Sequence, residues 1–110
     1  MKKILITGAS GRVGHVIIKG LRESGQYDVV ATDIVADPEA GIQTLDMQDF
    51  AALRSALVGV DTVVHLAWYM KSDQFHERIV PVNVVGTYNV YEAARLNNVR
   101  RVIFGSSNHG

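Results

Sequence analysis

The fold of this chain is decided by residues 7–14, Thr7-Gly8-Ala9-Ser10-Gly11-Arg12-Val13-Gly14. An apolar run at 4–6 precedes this stretch, and an amphipathic segment of helical period follows it. Its glycines let a strand turn sharply into a helix, let a pyrophosphate approach bare backbone, and let the helix pack tightly on the strand. The stretch therefore predicts a phosphate-binding strand–turn–helix unit.

A carboxylate stands at a matching distance from these glycines. Asp33 follows a second apolar run at 28–32 and lies 19 residues after Gly14. This spacing suits an acid that accepts hydrogen bonds from both hydroxyls of an adenosine ribose and repels a 2′-phosphate. Since the residues at 34–36 include no arginine to bind such a phosphate, the pattern favours NAD over NADP.

Composition limits the class of protein. A chain of 110 residues with 47% hydrophobic content can bury one core and has no room for a second domain. Eleven basic residues balance eleven acidic ones, so no overall field attracts nucleic acid or an anionic membrane. The absence of cysteine excludes disulfides and thiol chemistry, and the apolar run at 4–6 is too short for a signal peptide or a membrane span. We therefore expect one α/β domain and a cytoplasmic location.

Strand and helix patterns alternate along the whole chain. Strands are predicted at 3–7, 28–33, 42–45, 61–67 and 101–105, with a loop at 36–41 between the second and third strands and helices between the others. Helical crossovers imply parallel pairing and right-handed connections. The sequence therefore predicts a doubly wound parallel sheet, Rossmann-like, with strand order 3-2-1-4-5.

Three helices are predicted, each with its apolar residues. The first covers 12–24, ends at Gly25, and buries Val13, Val16, Ile17 and Leu21. The second is capped by Asp49 and presents Phe50, Leu53 and Leu57 before Gly59. The third begins or kinks at Pro81 and carries Val84, Tyr88, Tyr91 and Ala94.

Several segments together resemble a known family. They are the glycine stretch at 7–14, Leu45-Asp46, Val63-Val64-His65-Leu66-Ala67, and residues 83–94, which read NVVGTYNVYEAA. This combination resembles the extended short-chain dehydrogenase/reductases, the epimerase/dehydratase group. The segment Ser106-Ser107-Asn108-His109 resembles one in uronate dehydrogenases, which use NAD to oxidise the C1 hydroxyl of galacturonate or glucuronate to an aldarolactone.

This resemblance implies NAD as cofactor, a sugar acid as substrate and a role for each candidate residue. Ser107 would be catalytic and hydrogen-bond the reacting oxygen, and Asn108 and His109 would contact the sugar hydroxyls and carboxylate. Asp46 would accept from the exocyclic amine of adenine, and the backbone amide of Met47 would donate to the ring. The implied cofactor-binding set is Gly8, Ser10, Gly11, Arg12, Val13, Gly14, Asp33, Asp46, Met47, Leu66, Ala67, Trp68 and Asn83.

Some of these roles have open alternatives. Arg12 suits either the pyrophosphate or plain solvent exposure, and Trp68 suits either a narrowed substrate pocket or simple packing. A nucleotide-sugar epimerase or dehydratase, and a non-enzymatic NAD-binding redox sensor of the same fold, remain alternatives to uronate oxidation. The histidines share no ligand spacing, so we expect no metal site.

The family's catalytic Tyr-x-x-x-Lys pair follows the fifth strand and is not found in residues 1–110. Tyr91-x-x-x-Arg95 has the same spacing but precedes Ser107, and we interpret it as a packed aromatic and a solvated arginine. We therefore expect residues 1–110 to be the NAD-binding N-terminal part of a larger, homo-oligomeric enzyme, truncated after strand five and inactive alone.

Overall fold

Five parallel strands form the sheet in the computed structural model, which describes residues 1–66 and 85–105. The strands are β1 (Lys2–Thr7), β2 (Tyr27–Asp33), β3 (Ile42–Thr44), β4 (Thr62–His65) and β5 (Arg101–Phe104). Their order is β3-β2-β1-β4-β5 and every neighbouring pair is parallel. The predicted doubly wound, Rossmann-like topology is confirmed.

The register brings the carboxyl ends of the strands together at one edge of the sheet. Ile6 of β1 pairs with Ala31 on one side and with Val64 on the other. Asp33, at the end of β2, pairs with Thr44 of β3. The glycine turn that follows β1 therefore lies where the strand order reverses, the place where open α/β sheets bind ligands.

Helices cover both faces of this sheet. They are α1 (Arg12–Ser24), α2 (Phe50–Ala56) and α3 (Gly86–Leu96), and a short 3₁₀ helix, Pro38–Ala40, lies between β2 and β3. As predicted, α1 ends at Gly25, whose φ of 68° is the left-handed conformation that glycine adopts readily. Pro81 and Val84, named for the start of the third helix, lie outside the described residues.

Alternate side chains of β1 point to opposite faces, and each face has its own core. Leu5 packs with Leu53 and Leu57 of α2 and with Val90 of α3. Ile4 and Ile6 belong to the other cluster, to which α1 contributes Ile18. Because β1 is buried on both faces, its sequence is a continuous apolar run rather than an alternating one.

The prediction that α1 buries Val13 and Val16 is wrong. Val13 is 61% exposed and Val16 is 72% exposed, whereas Gly14 and Ile18 are buried. Gly14 fixes the helix orientation because it contacts the backbone of Ala9. Residue 16 is about 200° around the helix from residue 14, so Val16 faces away from the sheet.

The face of α3 also differs from the prediction. Ala94 is buried, but Tyr88 and Tyr91 are 64% and 54% exposed. The helix instead buries small residues and one amide, Gly86, Asn89, Val90, Ala93 and Ala94. Small side chains let α3 approach the sheet closely, and this leaves both tyrosine rings on the outer side, where Tyr91 stacks at 5.0 Å on Phe104.

Candidate cofactor site

The glycine turn is fastened to the end of β2 by its backbone. Gly8 has a φ of 69°, a conformation that favours glycine, and it reverses the chain after β1. The next amide, Ala9 N–H, donates to Thr32 O at 3.0 Å. A Cβ on Gly14 would lie 2.6 Å from Ala9 O, so only glycine lets α1 pack this closely on the turn.

The first turn of α1 is left open to solvent. Its N-cap is Gly11, which provides no side-chain hydrogen bond, and the first turn contains no acidic residue. The amides of Arg12, Val13 and Gly14 have no acceptor among the described residues. Such amides, together with the positive end of the helix dipole, form a binding site for an anion.

Asp33 is part of the glycine turn as well as the end of β2. Its Oδ2 accepts from Ser10 N at 2.9 Å, and its Oδ1 accepts from Ile34 N at 2.7 Å. The carboxylate is half-buried, and each of its oxygens has further lone pairs for a ligand. The sequence predicted that Asp33 and the glycines belong to one site, and the structure joins them directly.

Asp46 and Met47 follow β3 at the same edge of the sheet. Asp46 is exposed, and its Oδ1 accepts from Gln48 N at 2.9 Å. Met47 is buried, and its carbonyl accepts from Asn89 Nδ2 at 2.9 Å. Since Leu45 N donates to Asp33 O at 2.8 Å, this loop continues from the point where Asp33 ends β2.

A buried histidine that sequence reasoning did not place in the site lies beneath the glycine turn. His65 Nδ1 is 2.7 Å from Thr7 Oγ1, and its Nε2 is 3.2 Å from Thr87 Oγ1 of α3. Its ring meets Phe104 edge to face at 5.4 Å. A neutral imidazole, with one donor and one acceptor nitrogen, suits both hydroxyls.

Burial lowers the pKa of His65 to about 4, because a charged ring would lose its hydration there. His65 is therefore neutral at pH 7, and it links the ends of β1 and β4 to α3. The signal in the sequence is a histidine within an otherwise apolar strand. That signal indicates a buried partner, but it does not identify Thr7 or Thr87.

Leu66, a predicted cofactor contact, is the first residue after β4. Its amide donates to Thr7 O at 3.2 Å and to Thr7 Oγ1 at 3.0 Å. Its side chain occupies the space that a Cβ on Gly105 would need. Leu66 is thus fixed at the edge of the sheet next to the glycine turn.

Six predicted site residues lie outside the described part of the chain: Ala67, Trp68, Asn83, Ser107, Asn108 and His109.

Within residues 1–66 and 85–105, no cluster of three or more histidine or acidic side chains is arranged to hold a metal ion. In the same residues, no helix has the length and apolar content needed to cross a bilayer.

The described residues fit the diphosphate and ribose of a dinucleotide. The open amides at the start of α1 suit the diphosphate, and the close contact at Gly14 brings those amides next to the end of β1. Asp33 places a carboxylate at the same turn, where ribose hydroxyls can donate to it.

Comparison with protein families identifies the class. Residues 4–109 match the model of the NAD dependent epimerase/dehydratase family. The chain belongs to this family, and the resemblance inferred from the sequence is confirmed.

The relatives include an L-arabinose dehydrogenase and a uronate dehydrogenase. The chain is 40% identical to the L-arabinose 1-dehydrogenase (NAD(P)(+)) of Haloferax volcanii, over 99% of this chain and 42% of that protein. It is 37% identical to the uronate dehydrogenase of Pseudomonas putida, over 97% of this chain and 41% of that protein. The chain thus spans about two fifths of the length of these curated relatives.

Solved structures support the same class. A mutated uronate dehydrogenase superposes with a TM-score of 0.80 at 34% identity, covering 98% of this chain and 40% of the other. A short-chain dehydrogenase/reductase from Agrobacterium tumefaciens with bound NAD gives 0.83 at 35% identity, covering 96% of this chain and 32% of the other.

Proposed function

We propose that the protein is an NAD-dependent oxidoreductase acting on a sugar hydroxyl, and that residues 1–110 form its NAD-binding domain. The observation that carries the proposal is the open first turn of α1 with the Asp33 carboxylate hydrogen-bonded to the same turn. Membership of an NAD-dependent family and similarity to two sugar dehydrogenases support it.

In this proposal, separate segments of the chain contact different parts of the dinucleotide. The amides of Arg12, Val13 and Gly14 bind the diphosphate, and Asp33 accepts from the ribose hydroxyls. Asp46 and Met47 contact the adenine edge. Ser10, Gly11 and the exposed Arg12 side chain line the diphosphate side of the turn, and Leu66 borders the nicotinamide half together with Ala67, Trp68 and Asn83.

Bound NAD would supply the hydride acceptor for oxidation of an alcohol. The role proposed for Ser107 is to hydrogen-bond the reacting hydroxyl and orient it, with Asn108 and His109 recognising the sugar. The proton acceptor that we propose is the tyrosine of the family's Tyr-x-x-x-Lys pair.

The substrate we propose is a hexuronic acid, oxidised at C1. The segment Ser106-Ser107-Asn108-His109 and the similarity to uronate dehydrogenases support this choice. A nucleotide-sugar enzyme is the second candidate, since the chain also superposes on MoeE5 in complex with UDP-glucose and NAD, with a TM-score of 0.81 at 30% identity.

A direct assay separates these candidates. The complete protein is incubated with NAD and, in turn, galacturonate, glucuronate, L-arabinose or UDP-glucose, and NADH absorbance and product are followed. The proposal predicts NADH with at least one uronate and slower turnover of L-arabinose, which lacks the carboxylate. Conversion of UDP-glucose without any uronate oxidation would favour the second candidate, and turnover of L-arabinose alone would refute the uronate assignment.

Asp33→Ala tests the ribose contact. Loss of a charge-assisted hydrogen bond costs about 1.5–3 kcal/mol, so NAD affinity should fall roughly 10- to 100-fold. NADP affinity should fall much less, because the change also removes a repulsion from the 2′-phosphate. Calorimetric titration of both dinucleotides measures the ratio, and Asp28→Ala at the exposed start of β2 is the control. Equal losses for the two dinucleotides would exclude the ribose role.

A further inference from the structure

The peptide group between Met47 and Gln48 is held at both of its polar atoms. Its carbonyl oxygen accepts from Asn89 Nδ2 at 2.9 Å, and its N–H donates to Asp46 Oδ1 at 2.9 Å. A rotation of this peptide plane would break both hydrogen bonds together. The orientation of the Asp46 carboxylate is therefore coupled, through one peptide, to a side chain on α3.

Asn89 is an unusual residue for its position. It is 9% exposed, on the face of α3 that otherwise buries Gly86, Val90, Ala93 and Ala94. Burying an amide without a hydrogen-bond partner is destabilising, whereas an apolar residue would satisfy packing alone. The hydrogen bond from Asn89 Nδ2 to Met47 O stabilises the amide in this buried position.

The same turn of α3 also contacts the Met47 side chain. A Cβ on Gly86 would approach Met47 Cβ and Cε to 3.2 Å, so glycine at this position leaves room for Met47. Gly86 and Asn89 are three residues apart and lie on one face of the helix. Helix α3 thus holds both the side chain and the carbonyl of Met47.

Asp46 has one oxygen available for a ligand. Its Oδ1 is occupied by Gln48 N–H, and its Oδ2 has no hydrogen-bond partner among the described residues. Asp46 is exposed, and within residues 1–66 and 85–105 its carboxylate accepts a hydrogen bond from the Gln48 amide alone. The direction of the Asp46 carboxylate therefore depends on the orientation of the Met47–Gln48 peptide, whose N–H donates to it.

We propose that Asn89 is a positioning residue for base recognition: through the Met47–Gln48 peptide it aims the Asp46 carboxylate at the exocyclic amine of adenine. This inference rests on the proposed NAD site and on the adenine contact proposed for Asp46. A carboxylate accepts from the amine of adenine, whereas hypoxanthine presents a carbonyl oxygen at that position and is repelled. Asn89 therefore sets discrimination between the two bases.

The experiment compares NAD with nicotinamide hypoxanthine dinucleotide, which differs only at that position of the base and the adjoining ring nitrogen. Dissociation constants for both are measured by calorimetry on the complete protein. The wild type should prefer NAD at least tenfold, and Asp46→Ala should lower this ratio several-fold, leaving the part that the Met47 amide contributes at the ring nitrogen. Asn89→Ala should lower the ratio at least threefold while Asp46 is still present.

Two further variants keep the result interpretable. Asn89→Leu keeps the branched shape of asparagine on an apolar face and avoids the cavity that alanine leaves, and it should lower the ratio equally. Asn97→Ala is the matched control: it removes the hydrogen bonds between Asn97 and Arg54, which also join α3 to α2, at 2.9 and 3.2 Å. Because Asn97 does not touch Met47, the base ratio should stay at the wild-type value.

The outcomes separate the two levels of the proposal. If both Asn89 variants weaken the two dinucleotides equally, Asn89 is a packing residue and the inference is wrong. If Asp46→Ala leaves the ratio unchanged, the adenine contact of Asp46 is wrong, and the role of Asn89 with it. If the wild type bound neither dinucleotide, the proposed function itself would be refuted.

Discussion

Two junctions in this molecule join a strand to a following helix at the same edge of the sheet, and they treat the helix start in opposite ways. The helix after β1 begins at Gly11, with no side-chain cap and no acid in its first turn. The helix after β3 begins at Asp49, whose carboxylate accepts from Ala52 N at 3.1 Å. The first helix start keeps amides without an acceptor among the described residues, whereas the second is capped by the chain itself.

The two junctions are also stabilised by different kinds of groups. The glycine turn is held by backbone atoms and by Asp33, which accepts from Ser10 N. The loop at 46–49 is held by side chains, Asp46 and Asn89, that bond to its peptide groups. An uncapped helix start within a well-held turn indicates binding, whereas a capped helix start indicates stability alone.

The largest expected effect is at the close contact in the first junction. In Gly14→Ala the new Cβ would lie 2.6 Å from Ala9 O, so α1 must shift away from the turn. We expect a loss of more than about 3 kcal/mol in unfolding free energy, and no measurable NAD binding. Denaturant unfolding and calorimetry measure the two quantities.

The matched control is Gly20→Ala on the same helix. A Cβ there meets nothing within 4 Å, so the variant should gain roughly 0.5–1 kcal/mol from helix propensity and bind NAD normally. If both glycine variants behaved alike, the close approach of α1 to Ala9 would not matter.

Below the first junction lies a buried histidine, His65; the described residues at the second junction include no buried histidine. Burial lowers the pKa of His65 in the folded protein to about 4 from its ordinary 6.5, so only the unfolded chain takes up the proton between these values. The stabilisation is complete above pH 6.5 and is lost as the pH falls towards 4, by about 3 kcal/mol.

His65→Gln should remove this part of the pH dependence. Unfolding free energies of the variant and the wild type, measured from pH 7 to 4.5, should therefore converge as the pH falls. His15→Gln, at an exposed position on α1, should leave the wild-type slope intact. Parallel curves for the His65 variant and the wild type would show that this ring titrates normally.

A smaller effect follows from placing a charge in the open helix start. Val13 is exposed in the first turn of α1, so Val13→Asp should leave the unfolding free energy unchanged or raise it slightly. The same charge repels a diphosphate, and NAD affinity should fall roughly tenfold, or about 1–2 kcal/mol. Val13→Asn, of the same shape without the charge, is the comparison; equal NAD affinity in both variants would argue against an anion site.

The smallest effect is expected at the capped junction. Asp49→Ala removes the hydrogen bond to Ala52 N and should lower the unfolding free energy by about 1 kcal/mol. NAD affinity should not change, because this helix start has no ligand role. A clear loss of NAD affinity in this variant would contradict the conclusion that only the first of the two helix starts takes part in NAD binding.

The elements that the sequence predicts correctly are those with local signals. The sheet order follows from alternating strands and helices, and the end of α1 follows from Gly25. The spacing along the chain assigns Asp33 and the glycines to one dinucleotide site; in the structure Asp33 accepts from Ser10 N, while the binding role of these residues stays a prediction.

The elements that the sequence does not predict depend on contacts between distant residues. Val13 and Val16 were assigned to the core by their hydrophobicity, but the contact of Gly14 with Ala9 sets the rotation of α1. His65 bonds to a residue 58 positions away and Asn89 to one 42 positions away. No spacing rule for a motif identifies such pairs, since each forms only when the sheet brings two segments together.

The bond between Asp33 and the amide of Ser10 has a consequence for redesigning coenzyme preference. The carboxylate that would reject a phosphorylated ribose is also an anchor of the loop that would bind the diphosphate. Exchanging Asp33 for a small apolar residue therefore relaxes selectivity and loosens the loop in one step. A successful redesign needs a neutral side chain that still offers an oxygen to Ser10 N–H, with the new positive charge introduced at Ile34 or Val35.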